Sequence, residues 1–335
     1  MIKEGEDPNR HKKAARAEAE GRPNTTFEVI GREWHGKQIW AKKHTQNILR
    51  TLEADVFPSI GHIQIDKVSA QDIISILQDI EKRDAIDVAK RVNQRCVAIF
   101  EYAIGKNLCA YNPAVGRTAI LKKQTAEHRP SLKADQLHEF MNKLEEYSGG
   151  KVVQLAMKLL ILTFLRPGEL RNGRWDEIDE KKAEWRIPKE RMKGRKGQQH
   201  PHVVPLSNRA MAVLKELHEI TGKAELLFPG ERGVSKPISD VTLLKALKIM
   251  GYVGDKKIVP HGMRHTASTI LHESGFKTEV VEAQMAHKDK NRVRATYNHA
   301  LYLEERKQMM GWWADFLDAA AQDNKVIIGR FKPAV

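Results

Sequence analysis

Residues 111–132, YNPAVGRTAILKKQTAEHRPSL, combine proline, glycine and basic side chains with no sustained apolar period. Proline removes a backbone donor and breaks helices, so a chain interrupted there folds as two bodies. Each side of the interruption carries its own helical apolar pattern, as two separate cores require. The pattern predicts a charged lead-in at 1–25, a helical domain at 26–113, an interdomain linker at 114–132, a second domain at 133–322 and a tail at 323–335.

In the first domain, Thr25 or Thr26 offers a hydroxyl to cap a helix over FEVIGREWHG. QIWAKKHTQNILRTLEADVFPSIG repeats apolar residues at helical spacing and stops at Pro-Ser-Ile-Gly. SAQDIISILQDIEKRD opens with Ser69 and sets Ile73, Ile74, Leu77 and Ile80 on one stripe. AIDVAKRVNQRCVAIFEYAIGKNL then runs unbroken to a Gly-Lys-Asn exit, completing a four-helix unit with Lys and Arg on its outer faces. In the second domain, helices are expected near 133–147 and 151–165. A β patch follows, in which AEWRIP and HVVPLS alternate apolar with polar around a Lys/Arg/Gly-rich turn. Helices resume near 207–221, 240–250, 262–274, 278–286 and 302–320. The fold class is mainly α with a small antiparallel β-sheet, in two domains.

Lys and Arg number 57 against 43 Asp and Glu, a formal excess of +14. An anionic partner follows, nucleic acid first; a merely basic surface, as on a ribosomal protein, is the bland alternative. The two cysteines, Cys96 and Cys109, lack metal-site or redox spacing, which suits a reduced cytosolic protein. No apolar run approaches a membrane span, and the start MIKEGEDPNRHKK is no signal peptide.

Several residues have types and spacings suited to chemistry. In LTFLRPGELRNGRW, Arg166 follows a buried-type apolar run, Pro167 suits a first helical position and Glu169 suits the first turn. An ordinary capped helix with a surface arginine reads equally well there, unless the rigid run aims the guanidinium. VPHGMRHTAS sets His261 and Arg264 three apart, on one helix face. His265, four after His261, raises a zinc reading, but HExxH is absent and no nearby carboxylate completes a ligand set. RIPKERMKGRKGQQHPHVVPLS offers Lys189, Lys193 and Lys196 beside the hairpin, either as a basic turn touching phosphates or with one as a general acid. Lys193 is nearest the strand end. In AQMAHKDKNRVRATYNHALYLEE, Tyr297 sits among cations, downstream of His287. A phenol titrates near pH 10, so it attacks phosphorus only where cations stabilise phenolate and transition state; as a core residue it needs none.

The order Arg, Lys, His-x-x-Arg, His, Tyr resembles the tyrosine recombinase (phage integrase) family, over about residues 26–320. TFLRPGELRNGRW, EWRIPKERMK, HVVPLS, PHGMRHTAST, AHKDKNRVRATYNHA and YLEERKQMMGWWADFLD carry the resemblance, which is nearest to prophage and genomic-island integrases of the satellite-phage branch. It implies that Tyr297 attacks a DNA phosphodiester to form a 3′-phosphotyrosyl link. Arg166 and Arg264 would hold the non-bridging oxygens, Lys193 would protonate the leaving 5′-oxygen and His261 would exchange a proton with the tyrosine. His287 would contact the phosphate, and Glu169 would brace the site. No cofactor, metal or ATP is implied. A helical, SAM-like core-binding domain and a catalytic domain would form a C-shaped clamp on double-stranded DNA, four copies pairing two core-type attachment sites in the bacterial cytoplasm. A host DNA-bending protein and an excisionase are possible partners. The alternatives are a non-catalytic DNA-binding protein with the same basic surface, and a metal-dependent nuclease using the histidines.

YLEERKQMMGWWADFLDAA, with Met309, Met310, Trp312, Trp313 and Phe316, is too apolar for an exposed tail and suits docking on a neighbouring copy or on its own domain. Related integrases usually carry an N-terminal arm-binding domain, whereas this chain starts in what looks like the linker that follows it. They often place Gly before the second His, where this sequence has Ala286; little effect is expected.

Overall fold

A computed structural model describes residues 25–123, 130–192, 199–231, 233–287 and 302–322. The chain divides between Ala126 and Glu127 into two compact units.

The first unit contains α1 (Phe27–Gly36), α2 (Lys42–Asp55), the single turn α3 (Phe57–Ile60), α4 (Ala70–Lys82) and α5 (Ile86–Gly105). The long helix α2 ends at Asp55, just ahead of the Pro-Ser-Ile-Gly stop, and Pro58 lies in the first turn of α3, a separate turn that the stop itself forms. Ser69 and Asp72 form a reciprocal capping box on α4. The buried stripe of α4 is Ile73, Ile76, Leu77 and Ile80; Ile76 takes the place expected for Ile74, because a helix face repeats at three and four residues. Thr26 precedes α1 without a side-chain cap, and the Thr25 hydroxyl instead donates to Gln64 Oε1 at 2.6 Å. The Phe27 ring packs against Phe100 at 5.3 Å and Phe57 at 6.4 Å in the core. Ala114 and Leu121, in the stretch read as linker, are buried in this core too.

In the second unit, α6 (Leu137–Glu145), α7 (Lys151–Thr163) and the short α8 (Pro167–Arg171) lead into a three-stranded sheet. Its strands β1 (Ile178–Asp179), β2 (Glu184–Ile187) and β3 (His202–Pro205) pair antiparallel in that order, with Ile178 opposite Trp185 and Ile187 opposite His202. α9 (Asn208–Thr221) is followed by a second, unexpected antiparallel pair, β4 (Pro229–Gly230) and β5 (Gly233–Pro237). Its strands are too short and polar for an alternating signal. α10 (Thr242–Ile249), α11 (Gly262–Glu273), α12 (Thr278–Gln284) and α13 (Leu303–Gln322) complete the unit.

α7 is buried almost all round, which its run LLILT demands, and α13 packs on it. The Trp313 indole N–H donates to the Ile161 carbonyl at 2.8 Å, and His138 Nδ1 donates to that of Ala320 at 3.0 Å. Trp312 and Trp313 stack on Phe316 at 5.1 and 5.8 Å. The apolar face of α13 is thus covered by its own unit.

Candidate active site

Two helix ends build the site. α7 ends at Phe164, whose φ of 38° is left-handed, and α12 ends at Ala286, with φ 47°. Non-glycine residues pay roughly 1–2 kcal/mol there, and such strain clusters at functional sites. At Ala286 the turn is a Schellman motif: the His287 amide donates to Glu282 O at 3.1 Å and the Ala286 amide to Ala283 O at 3.1 Å. Both left-handed residues present a carbonyl to an arginine from elsewhere. Arg264 in the first turn of α11 donates through Nη1 to Phe164 O, and through Nη2 to Met285 O at 2.7 Å. Arg166, at the start of α8, donates through Nη2 to Ala286 O at 3.1 Å. Adjacent carbonyls of one turn therefore bring the two guanidiniums together.

Arg166 is braced from its own helix. Its Nη1 donates to Glu169 Oε1 at 2.7 Å and its backbone N–H to Glu169 Oε2 at 3.2 Å, and Glu169 is only 4% exposed. Arg264 is buried, and that burial, followed by the Arg166 charge, pushes its guanidinium down to about 10; Glu169 and Glu282 act in the opposite direction. It therefore stays charged at physiological pH. Two neighbouring cations, of which only Arg166 has a carboxylate paired to it among the described residues, make a place where a bound anion is favoured. Among the described residues, these bonds use two of the five N–H donors of each fork.

His261 stands immediately before α11, half-buried and three residues from Arg264. The helix can start there because position 262 is glycine: a Cβ would lie 2.3 Å from the Pro130 carbonyl. Thr266 Oγ1 accepts from the Leu132 amide at 2.9 Å and donates to its carbonyl at 3.0 Å, pinning the 130–132 segment alongside. His287 follows the carbonyl pair directly, and its Nδ1 lies 2.6 Å from Glu282 Oε2, which leaves Nε2 as the nitrogen turned away from that carboxylate. His265 is exposed, and among the described residues no group of three metal-ligating side chains gathers.

Lys193, Lys196 and Tyr297 lie outside the described residues; Lys189 is exposed in a single 3₁₀ turn. The strand pair that leads to and from Lys193 is formed as its alternation predicts. Residues without a sequence signal brace this neighbourhood. Arg191 donates to Glu169 O at 3.2 Å and to Glu177 Oε2 at 2.6 Å, tying the strand end to α8. Glu177 also accepts from the Trp185 indole at 2.9 Å.

The phage integrase family model matches residues 130–304, and the phage integrase central-domain model matches residues 27–119. The integrase of Enterobacteria phage P4 is 39% identical over 329 residues, covering 95% of this chain and 74% of that protein. Prophage integrase IntA of Escherichia coli strain K12 is 36% identical over 323 residues, covering 96% and 77%. The fold matches a lambda integrase dimer bound to a COC′ core site with a TM-score of 0.63 at 16% identity, over 82% of this chain and 95% of that one. A lambda integrase tetramer bound to a Holliday junction matches at 0.65, also at 16% identity, over 87% and 84%. The chain belongs to the phage integrase family of tyrosine recombinases. It is a tyrosine-type site-specific recombinase, with the mainly helical fold and small antiparallel sheets of that class.

Proposed function

We propose that this recombinase is a prophage or genomic-island integrase that breaks and rejoins double-stranded DNA at core-type sites, with Tyr297 as nucleophile. The phenolic oxygen attacks phosphorus while His261 takes its proton. The bond from phosphorus to the 5′-oxygen breaks, and the Lys193 ammonium gives that oxygen a proton. A 3′-phosphotyrosyl link and a free 5′-hydroxyl result. Attack by another strand's 5′-hydroxyl reverses the step, so the phosphodiester energy is retained and no ATP is consumed. Arg166 and Arg264 balance the charge on the non-bridging oxygens, the electrostatic role for which many nucleases use a divalent metal. His287 donates to the phosphate through Nε2, and Glu169 keeps Arg166 aimed.

The observation that carries this reading is the convergence of Arg166 and Arg264 on the adjacent carbonyls of Ala286 and Met285, directly before His287. Guanidiniums serving only the surface would have no reason to share one turn. The lambda integrase complexes with a core site and a Holliday junction support DNA as partner and four copies as the working assembly. A host DNA-bending protein and an excisionase would set direction, and the reaction would take place on the bacterial nucleoid. Among the described residues no helix is long and apolar enough to cross a membrane.

The test uses a nicked suicide duplex cut from the DNA flanking the coding region. An adduct that survives SDS is expected, unaffected by EDTA, and Tyr297→Phe should abolish it while leaving binding intact. An adduct formed by the Phe variant refutes the assignment; abolition by EDTA refutes the metal-free chemistry.

A further inference from the structure

Arg306 stands where the last helix calls for an apolar side chain. It shares the buried face of α13 with Met309, Met310, Trp313 and Leu317. The residue is only 2% exposed, and burial pushes its guanidinium down to about 10, with the Glu184 charge acting in the opposite direction, so it remains charged at physiological pH. Among the described residues no carboxylate pairs with it. Nε and Nη2 instead donate to Gln284 Oε1 at 3.0 and 2.6 Å, and Nη2 also donates to the Val203 carbonyl. Gln284 is itself fully buried. Its Nε2 donates to Thr163 O at 3.4 Å, and its carbonyl accepts from His202 Nε2 at 3.1 Å. A buried cation hydrogen-bonded only to neutral acceptors, with the Glu184 carboxylate it feels paired to Arg186 instead, is a poor way to stabilise a core; an apolar side chain of similar volume would serve folding as well or better.

Chain order supplies another reason. Gln284 and Arg306 are 22 positions apart, and Tyr297 lies between them. The two residues after Gln284 are Met285 and Ala286, whose carbonyls hold Arg264 and Arg166. We infer that Arg306, through Gln284, is a positioning residue for the nucleophilic tyrosine: it fastens the chain downstream of Tyr297 to the backbone stretch that holds both phosphate-binding arginines. This rests on the assignment of Tyr297 given above. A segment fastened at both ends has far fewer arrangements open to it than one fastened at one end. In-line attack requires an approach of about 3 Å, which a loosened end would lose. Lys277 and Glu305 bridge the same two elements at 2.7 Å, but in solvent, where such a pair holds little.

Arg306→Met in the full chain tests the inference on the nicked duplex from the flanking DNA. Adduct formation should slow about 100-fold. Duplex affinity, measured in a Tyr297→Phe background, should stay within about threefold, and the urea midpoint should hold or rise. Arg306→Lys, which keeps the charge but not the fork, should recover part of the rate. Sulfur in place of the bridging 5′-oxygen gives a leaving group that needs no proton; it should rescue loss of Lys193 but not Arg306→Met. Lys277→Ala should leave the rate within about twofold of native. An Arg306→Met rate within about twofold of native overturns the inference, as does rescue by sulfur or a loss that merely tracks unfolding. If Arg306→Met does not fold, Arg306→Lys decides, and a native rate there overturns it. An adduct from Tyr297→Phe would instead refute the nucleophile assignment itself.

Discussion

The two units bury different things. In the first, Asn93 is the sole polar residue in the core among the described residues; Phe, Trp, Ile, Leu, Val, Ala and Cys fill the rest. The second takes Glu169, Glu177, Glu184, His202, Arg264 and Arg306 out of solvent around the same kinds of apolar side chain. Folding alone favours the first solution, because every buried charge loses hydration that its new partners only partly replace. The difference shows where a fold has been bent to a task. In the second unit the buried polar groups hold helix-end carbonyls and guanidiniums in one arrangement, and the left-handed Phe164 and Ala286 carry strain at the same spot. The first unit has left-handed non-glycine residues too, Asp84 and Asn107, but these are turn-formers that tolerate the conformation.

The contrast can be tested from both sides. The largest effect is expected for Arg264→Ala. It strands the carbonyls of Phe164 and Met285, costing roughly 1–3 kcal/mol for each acceptor left buried. Adduct formation should fall about 10²- to 10³-fold beyond what lost folding explains. Urea titration and suicide-substrate kinetics on one preparation separate the two losses, and unchanged stability would deny the guanidinium its structural role. Smaller and opposite in sign is Asn93→Leu in the first unit. Asn93 Oδ1 is buried without a partner, so an apolar replacement should stabilise by about 1 kcal/mol. A loss of stability would mean that this core is not governed by apolar packing alone. Smallest is Ala286→Gly, which should add about 1 kcal/mol by removing a Cβ from the left-handed region, partly offset by the freedom glycine gains when unfolded. A rise in melting temperature with a near-native cleavage rate fits; a fall would show that the position is unstrained.

Much of this was legible beforehand, for definable reasons. The helices of both units follow from apolar residues at three- and four-residue spacing, and the β2–β3 pair from alternation about a Gly/Lys/Arg turn. Arg166, Glu169, His261, Arg264 and His287 were legible as candidates because their motifs are local. Arg191, Glu177, Gln284 and Arg306 were not, since their partners lie far along the chain. Arg306 did leave a trace, as a charge on an otherwise apolar stripe. The β4–β5 pair left none, being held by tertiary neighbours and not by any pattern of its own.

Local periodicity and short motifs determined which segments become helix or strand, which face of each is buried, and which side chains have the chemistry for phosphoryl transfer. Only the tertiary structure decided that Arg264 and Arg166 meet on the adjacent carbonyls of Met285 and Ala286, and that α13 folds back onto its own unit through Trp313 and Arg306. The physical reason is range. Periodicity is set by neighbours within a turn or two, whereas buried hydrogen bonds are satisfied by whichever carbonyls packing brings near, as for Trp313 and Ile161, 152 residues apart.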